Sequence, residues 1–343
     1  MWSPALALAL TLAVAAAASP TGPIENIVAF GDSYTDNARG AYIATQGHNP
    51  PPNMTFSPDN GTTYTGGKNW AQFLRLMNNN ATLVDYAVAG AVCNSSIVTH
   101  YLNGAVWPNG DNYQVPTFQQ EANNANIFSN RTGDNTVYAI WFGTNDLGIL
   151  GFLGGLENLG KIITDLINCF FAIIDYLYSL GGRRFVIIGQ AAQDRVPYLA
   201  YPGVYGYTNQ KFFSNPATYN TSDYLDRMRQ YITDTDTMVQ YAISHFLCRT
   251  SRWANSTMSY IAVRSMMLDM VANPGAYFDA PGNTDTPYRN CLVPGCLNAT
   301  GSPDGYMWWD EVHPSERTSR YIASTVNQSA HGEPSRFATV WTT

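Results

Sequence analysis

An aspartate and a histidine near the end of the chain have the spacing with the clearest chemical potential. They lie in Asp310-Glu311-Val312-His313-Pro314. In a tight turn, a carboxylate three residues before a histidine can accept a hydrogen bond from Nδ1–H of the imidazole, which leaves Nε2 free to take a proton from a hydroxyl. The segment therefore predicts an orienting carboxylate and a general base. Pro314 suits the first turn of a closing helix.

A serine on which such a base could act lies at the other end of the chain. The apolar run Ile27–Phe30 ends in Gly31 and is followed by Asp32 and Ser33. This pattern is typical of a buried strand that delivers a serine to the loop at its carboxyl end. Gly-Asp-Ser alone is a weak signal, because serine and aspartate are common in turns. Together with the later segments, it predicts Ser33 as a nucleophile.

Two other strand ends carry neutral hydrogen-bond donors. Gly90 follows the run Val84–Ala89, and a glycine there permits close backbone approach with its N–H directed at an oxyanion. Asn145 follows an apolar run that ends at Gly143, and its amide can donate without titrating. The alternatives are a simple turn at Gly90 and a helix cap or Asx turn at Asn145.

These four segments, in this order, resemble the GDSL esterases of the SGNH hydrolase superfamily, which is named for a Ser, a Gly, an Asn and a His. The resemblance spans residues 26 to about 326. It implies that Ser33 is the nucleophile, His313 the general base and Asp310 the orienting acid. It also implies an oxyanion hole made by the Ser33 N–H, the Gly90 N–H and the Asn145 side chain, with no metal or organic cofactor.

The full sequences of three of these segments resemble a narrower group of enzymes. Gly31–Asp36, Tyr86–Ala91 and Trp141–Gly148 look like the fungal acetylesterases of carbohydrate esterase family 16, which remove acetyl groups from hemicellulose-derived sugars, mainly short oligosaccharides. Tyr34 departs from the usual Gly-Asp-Ser-Leu, at a position that packs beside the nucleophile. The Gly-x-Ser-x-Gly elbow is absent, which disfavours the α/β-hydrolase fold.

The substrate is less well defined than the reaction. Trp308 and Trp309 immediately precede Asp310 and could offer a stacking face to a sugar, or pack in the core. Asp32 is a further candidate for substrate contact. The apolar, glycine-rich stretch Leu147–Leu153 could wall an acyl pocket or act as a lipid-binding flap, so a GDSL lipase or phospholipase acting on longer acyl esters is the alternative. A non-hydrolytic sugar-binding protein is a third possibility, disfavoured by the intact set of chemical groups.

Fully apolar runs alternate with helically periodic segments along the chain. Such strands, separated by helices, indicate a parallel sheet covered on both faces, with its carboxyl ends on one edge where ligands bind. The prediction is a three-layer α/β/α, flavodoxin-like fold with a central parallel sheet of about five strands. The predicted strands are Ile27–Phe30, Leu83–Val88, Val137–Phe142, Phe185–Gly189 and Tyr260–Val263. The predicted helices are Trp70–Met77, Thr117–Phe128, Leu156–Leu180, Ser222–Cys248 and Pro314–Val326.

The chain is predicted to be exported. Residues 1–18 read as a secretory signal peptide with a small-residue cleavage site, and 19–343 as a single hydrolase domain. Two long surface insertions, about 46–67 and 198–221, wall the site or serve as glycosylated spacers. The glycosylation sequons are Asn53, Asn60, Asn80, Asn94, Asn130, Asn220, Asn255, Asn298 and Asn327.

Composition excludes several classes of partner. The chain has 343 residues with a net charge of −7 and no basic run, which argues against nucleic acid and anionic membranes. No later segment qualifies as a membrane-spanning helix, so no stable membrane anchor is expected. The protein is expected to be secreted and monomeric. No zinc-type cysteine or histidine spacing is present. The remaining histidines lack an acidic partner and are assigned no chemical role: His48, His100, His245 and His331.

Five cysteines allow at most two disulfide bonds. Cys291 and Cys296 enclose Leu-Val-Pro-Gly, a turn that could close a small disulfide ring. Cys93, Cys169 and Cys248 allow one further bridge among them, so one thiol is expected to be free and buried.

Overall fold

The computed structural model of the protein describes residues 22–59, 61, 63–200 and 220–343. The predicted signal peptide, the Asn60 sequon and most of the 198–221 insertion lie outside these residues. The extent of the single hydrolase domain therefore stays a prediction.

A six-stranded sheet runs through the described part of the chain in the order β10-β7-β6-β5-β1-β2. All its strands are parallel except β10, which pairs antiparallel with β7. The parallel strands have the spatial order of flavodoxin-like sheets. The sheet strands are β1 (Asn26–Gly31), β2 (Thr82–Asp85), β5 (Thr136–Trp141), β6 (Arg184–Ile188), β7 (Thr257–Ile261) and β10 (Ala338–Thr342). Two short hairpins add β3 (Tyr101–Leu102) with β4 (Ala105–Val106), and β8 (Arg289–Asn290) with β9 (Leu297–Asn298).

The three-layer α/β/α prediction is confirmed, and each of the five predicted strands overlaps an observed one. β2 ends at Asp85 rather than at 88, and β7 covers Thr257–Ile261 rather than 260–263. The residues of β1, β5 and β6 are buried throughout, as expected of strands covered on both faces. The sixth strand, β10, was not predicted. Its residues are alternately half-buried and exposed, and this antiparallel edge position leaves the short segment without the continuous apolar run that marks the others.

Helices cover the sheet. Within the described residues, α2 packs against α9, and α9 contacts β6 and β7, while α5 packs against α6. The helices are α1 (Arg39–Gln46), α2 (Trp70–Met77), α3 (Val115–Glu121), α4 (Thr144–Leu147), α5 (Ile163–Ser179), α6 (Thr221–Cys248), α7 (Val263–Ala272), α8 (Pro274–Tyr277) and α9 (Glu316–Ala330). No helix of the described residues is both long and apolar enough to span a bilayer.

The five predicted helices all overlap observed helices, but the ends of several differ from the prediction. The predicted bounds of α2 match, since Asn69 and Gln72 form a capping box at its start. α3 ends at Glu121 rather than at 128, and α5 begins at Ile163 rather than at 156. α1, α4, α7 and α8 were not predicted.

Strand order places three of the predicted site segments side by side. β1 lies between β2 and β5, with Asn26 to Ala29 paired to Thr82 to Asp85 on one side. The loops that follow these strands leave from the same edge of the sheet, and they carry Ser33, Gly90 and Asn145. His313 reaches this edge from the segment between β9 and α9.

The disulfides agree with the sequence in one respect and correct it in another. Cys291 and Cys296 are bonded as predicted, and Cys93 is bonded to Cys169, which ties the loop after β2 to α5. Cys248 is the free thiol, but it is exposed at the end of α6. The prediction of a buried thiol was wrong, because Cys248 lies on the exposed side of the last turn, next to the buried Leu247.

Candidate active site

Ser33 lies in the turn directly after β1. Gln114 binds both backbone polar groups of Gly31, the residue at the end of this strand. Its side-chain amide donates to the Gly31 carbonyl (2.7 Å) and accepts from the Gly31 N–H (3.0 Å). A Cβ on Gly31 would lie 2.5 Å from the carbonyl oxygen of Trp141 on β5, so a glycine is needed here. The Asp32 carboxylate closes the turn by accepting the Tyr34 N–H (3.0 Å).

His313 joins Ser33 to Asp310. Its Nε2 lies 2.9 Å from the Ser33 hydroxyl oxygen, across a sequence separation of 280 residues. Its Nδ1 lies 2.8 Å and 2.9 Å from the two carboxylate oxygens of Asp310. Because a carboxylate can only accept, the proton of a neutral ring belongs on Nδ1, and Nε2 then faces the hydroxyl as an acceptor.

The Asp310 carboxylate is oriented by its own turn. Oδ1 accepts the backbone N–H of Val312 (2.9 Å) and of His313 (2.8 Å), and the turn is closed by the Trp309 N–H donating to the His313 carbonyl (2.7 Å). Burial alone would raise the pKa of Asp310. The adjacent His313 and these N–H donors outweigh it and hold the pKa below its usual value, so the carboxyl is ionised at neutral pH.

Two tyrosines hold the His313 ring. Tyr34 contacts it edge-on at 5.8 Å between ring centres and donates its hydroxyl to the Val312 carbonyl (2.8 Å). A leucine, usual at this position of the resembled family, would pack there but could not make that bond. Tyr64 lies over the ring at 5.2 Å and is half-buried. Nothing in the sequence pattern around Tyr64 indicates this contact, because its segment has no regular period.

In the loop after β2, most backbone polar groups are hydrogen-bonded and one N–H group is not. The Ala89 N–H donates to the Asp36 carboxylate (2.7 Å), and the Ala89 carbonyl accepts from Trp107 (2.9 Å). The next two carbonyls, of Gly90 and Ala91, are also taken, each by a side chain. Among the described residues, the Gly90 N–H has no hydrogen-bond partner, and neither has the Ser33 N–H.

Asn145 lies in the first turn of α4, next to the Gly90 loop. Its amide donates one hydrogen to the Ala91 carbonyl (2.9 Å), which leaves a second N–H available. The following residue, Asp146, accepts the Cys93 N–H (2.9 Å), so the two loops are fastened together. The loops after three neighbouring strands thus carry Ser33, Gly90 and Asn145 at one edge of the sheet, and each residue has an N–H group that can donate a hydrogen bond.

Two buried carboxyls lie beneath these loops. Burial raises the pKa of Asp32 to about 7, and burial together with Asp32 raises the pKa of Asp146 to about 7. Both side chains are almost fully enclosed. Because the folded protein binds these protons more tightly than the unfolded chain, their contribution to stability is complete below about pH 4 and is lost as the pH rises through about 7.

A cavity of about 120 Å³ adjoins Asn145 and Tyr34. Its other walls are mostly apolar, and they include three residues of the Leu147–Leu153 stretch. These wall residues are Thr144, Gly148, Ile149, Leu150, Gln193, Val196, Tyr198 and Val312. A larger groove of about 360 Å³, between α1 and the β3–β4 hairpin, includes none of the predicted site residues.

Two of the three predicted substrate contacts are corrected by burial. Trp308 is fully buried, and its indole N–H donates to the Thr284 carbonyl (3.1 Å), so it is a core residue. Asp32 is 1 % exposed and faces inward. Trp309 is half-buried; Tyr288 stacks on its ring at 5.5 Å, and the ring also contacts Gly66. Its contact with a substrate stays a prediction.

No cluster of three or more His, Cys, Asp or Glu side chains able to hold a metal ion occurs in the part of the chain that the structure describes. The chemistry available at the edge of the sheet is that of Ser33, His313 and Asp310 with neutral N–H donors around them.

The chain is similar to one protein family and to two acetylesterases. The family of GDSL-like lipases and acylhydrolases matches residues 27–326. An acetylesterase of Hypocrea jecorina is 34 % identical over 94 % of this chain and 93 % of its own length. An acetylesterase of Thermothelomyces thermophilus is 27 % identical over 50 % of this chain and 55 % of its own.

Solved structures give a more distant likeness. An acetylxylan esterase of Geobacillus stearothermophilus matches with a TM-score of 0.44 at 12 % identity, over 92 % of this chain and 97 % of that one. The family match and the first relative are the stronger findings, since both extend from β1 to α9. The chain therefore belongs to the GDSL-like lipase and acylhydrolase family and is a carboxylic ester hydrolase.

Proposed function

We propose that the protein is a secreted serine esterase that removes acetyl groups from hemicellulose-derived oligosaccharides, such as acetylated xylo-oligosaccharides, and from other short-chain esters. The observation that carries this proposal is the continuous chain of hydrogen bonds from Asp310 through His313 to Ser33. It supplies an oriented base within 2.9 Å of a hydroxyl nucleophile.

In the first step, Nε2 of His313 takes the Ser33 proton as the Ser33 oxygen attacks the acetyl carbonyl. The oxyanion of the tetrahedral intermediate accepts hydrogen bonds from the Ser33 N–H, the Gly90 N–H and the Asn145 amide. When the intermediate collapses, the imidazolium gives its proton to the departing sugar oxygen, and an acetyl ester on Ser33 remains. Ionised Asp310 stabilises the imidazolium between these events.

In the second step, the same groups act on water. Nε2 of His313 takes a proton from a water molecule whose oxygen attacks the Ser33 ester. The three N–H donors again bind the oxyanion. Collapse returns the proton to the Ser33 oxygen and releases acetate, so the enzyme is restored without a cofactor.

The cavity beside Asn145 is proposed as the acyl pocket. A cavity of about 150 Å³ holds a benzene molecule, so the roughly 120 Å³ here suits an acyl group of about two to four carbons. Its apolar walls, including Ile149 and Val312, match the methyl end of such a group. The size of the pocket favours acetyl esters over long acyl chains.

The sugar is proposed to lie on the side of His313 where Tyr64 and Trp309 are half-buried. Aromatic rings present apolar faces and edges to the C–H groups of a pyranose. Replacing Trp309 with alanine is expected to raise KM for acetylated xylo-oligosaccharides while leaving KM for nitrophenyl acetate within about twofold. An equal change for both substrates would contradict this assignment.

Export is supported by the surface. Six sequon asparagines of the described residues are exposed: Asn53, Asn80, Asn130, Asn220, Asn255 and Asn298. The two disulfides fit an oxidising compartment. Expression in a fungal or yeast secretory host should yield a protein in the medium whose mass falls on treatment with an N-glycosidase.

The decisive experiment compares wild-type protein with Ser33→Ala on nitrophenyl esters of increasing chain length and on acetylated xylo-oligosaccharides. We expect highest kcat/KM for acetyl or butyryl esters, and near-complete loss in the variant with an unchanged melting temperature. A fluorophosphonate should label wild-type Ser33 and not the variant. Absence of hydrolysis and of labelling would instead support a sugar-binding protein that does not hydrolyse its ligand.

One observation favours a lipase or phospholipase as the second candidate. Four large apolar side chains are exposed on the segment that follows Asn145: Leu150, Leu156, Leu159 and Ile162. Exposed apolar side chains near an ester-hydrolysing site can bind a lipid interface. Preference for acyl chains beyond about eight carbons, with activation by vesicles or micelles, would favour this candidate over the acetylesterase.

A further inference from the structure

The short hairpin β3–β4 projects next to the Gly90 loop. Asn103 and Gly104 at its tip both have positive φ (51° and 82°), the conformation that two-residue hairpin turns favour. Its base is closed by the Trp107 N–H, which donates to the His100 carbonyl (2.8 Å). The strand residues are largely exposed, with Tyr101 at 67 %, so the hairpin adds little to the core.

The two residues at the base of the hairpin hold consecutive carbonyls of the Gly90 loop. Trp107 donates its indole N–H to the Ala89 carbonyl at 2.9 Å. His100 contacts the Gly90 carbonyl through Nδ1, also at 2.9 Å. Carbonyl oxygens only accept, so His100 makes this bond as a donor with its proton on Nδ1.

The hydrogen bond from Trp107 fixes the Ala89–Gly90 peptide unit, which contains the N–H proposed to bind the oxyanion. The Ala89 carbonyl and the Gly90 N–H belong to the same planar trans peptide unit, and they point in opposite directions. Holding the carbonyl toward Trp107 therefore directs the Gly90 N–H away from it. A hydrogen bond accepted at the carbonyl also polarises the N–H of the same unit, which strengthens it as a donor.

Glycine is the residue that permits this arrangement. Gly90 has a φ of +82°, and a Cβ there would lie 3.3 Å from Nε1 of Trp107. The loop can thus turn while the indole stays at hydrogen-bond distance. His100 then fixes the following peptide, so rotation of the Gly90 unit is opposed on both sides.

His100 also reaches the proposed acyl pocket. Its Nε2 lies 3.1 Å from the carbonyl of Leu150, one of the residues that line the 120 Å³ cavity. Because this oxygen also only accepts, the contact is a hydrogen bond when Nε2 carries a proton as well. The two nitrogens of one ring thus contact two elements of the site, the Gly90 loop and the pocket wall. A largely exposed hairpin is in this way attached to both.

We propose that Trp107 and His100 are positioning residues that orient the Gly90 N–H for the oxyanion and, through His100, set the pocket wall at Leu150. This inference rests on the proposed esterase function. Neither side chain takes part in a proton transfer or bonds to the acyl group; each acts through a backbone peptide.

The first test is Trp107→Phe, which keeps an aromatic ring and removes the N–H. Loss of a whole oxyanion donor costs about 10²–10³ in kcat, so misdirection of Gly90 is expected to lower kcat for nitrophenyl acetate about 10- to 100-fold. KM should change less than about threefold, because the donor acts in the transition state. Tyr101→Ala, in the same hairpin, is the matched control and should keep wild-type kcat.

The second test separates the two contacts of His100. In His100→Asn the amide nitrogen occupies the place of Nδ1 and can still donate to Gly90. In His100→Gln it occupies the place of Nε2 and can donate to Leu150, but no donor remains for the Gly90 carbonyl. We expect kcat near that of wild type for the Asn variant, with altered relative rates on acetyl and butyryl esters, and a lower kcat for the Gln variant.

The outcomes distinguish this inference from the function on which it rests. If wild-type protein hydrolyses esters through Ser33, but Trp107→Phe keeps kcat within twofold, or the two His100 variants rank in the opposite order or do not differ, the positioning role is overturned. If Trp107→Phe does not fold, the His100 pair decides. If wild-type protein and Ser33→Ala are equally inactive, the proposed function itself has failed.

Discussion

Replacing Asp310 with asparagine should reveal how strictly the turn controls His313. In this turn Oδ1 accepts two backbone N–H groups, of Val312 (2.9 Å) and His313 (2.8 Å). An asparagine must therefore place its carbonyl oxygen there, because an amide N–H₂ would face two donors. Its nitrogen then takes the place of Oδ2, which lies 2.9 Å from Nδ1 of His313.

That orientation reverses the tautomer of the imidazole. Nδ1 then lies 2.8 Å from an amide oxygen whose two lone pairs already accept backbone N–H groups, and 2.9 Å from an N–H₂ donor. This favours an unprotonated Nδ1 and moves the ring proton to Nε2, 2.9 Å from the Ser33 oxygen. His313 then donates to Ser33 and cannot take its proton. In serine proteases the same change lowers kcat about 10⁴-fold, which is about 5 kcal/mol of transition-state stabilisation.

The assay is steady-state hydrolysis of nitrophenyl acetate at neutral pH, together with the rate of fluorophosphonate labelling. Both rates should fall by about 10⁴, since both need an activated Ser33, while the melting temperature stays within a few degrees. Asp285→Asn, which removes an exposed carboxylate from a neighbouring segment, is the charge-matched control and should retain wild-type rates. Retention of more than about a tenth of wild-type kcat in a folded Asp310→Asn protein would refute the reasoning.

Three further predictions follow from other contacts. Asn145→Ala should lower kcat about 10²–10³-fold with little change in KM, and an unaltered kcat in steady-state assays would exclude its role in the oxyanion hole. Serine at both Cys93 and Cys169, which are 76 residues apart, should cost about 4–5 kcal/mol of unfolding free energy in urea titrations; a loss below 1 kcal/mol would contradict the loop-entropy argument. Asp146→Asn should flatten the decline of melting temperature between about pH 4 and pH 8, whereas wild-type slope in the variant would show that this carboxyl does not bind the proton on folding.

The sequence by itself determined the features that depend on neighbours in the chain. The five parallel strands were recognisable because each contains an apolar run, as strands in a covered parallel sheet require. The pairing of Asp310 with His313 was readable because both lie in one turn, where the carboxylate is anchored by the N–H groups of residues 312 and 313. The small disulfide ring at Cys291 and Cys296 is local in the same sense.

Only the tertiary structure decided which distant groups meet. That Nε2 of His313 lies beside Ser33, that Cys93 pairs with Cys169 rather than Cys248, and that Trp308 is buried while its neighbour is not, all depend on contacts between segments far apart in the chain. The contacts between the hairpin and the Gly90 loop also depend on the fold. The sequence shows an indole N–H and an imidazole but does not predict which carbonyl groups they will bond. A residue type fixes what a group can donate or accept, and the fold alone fixes what stands opposite it.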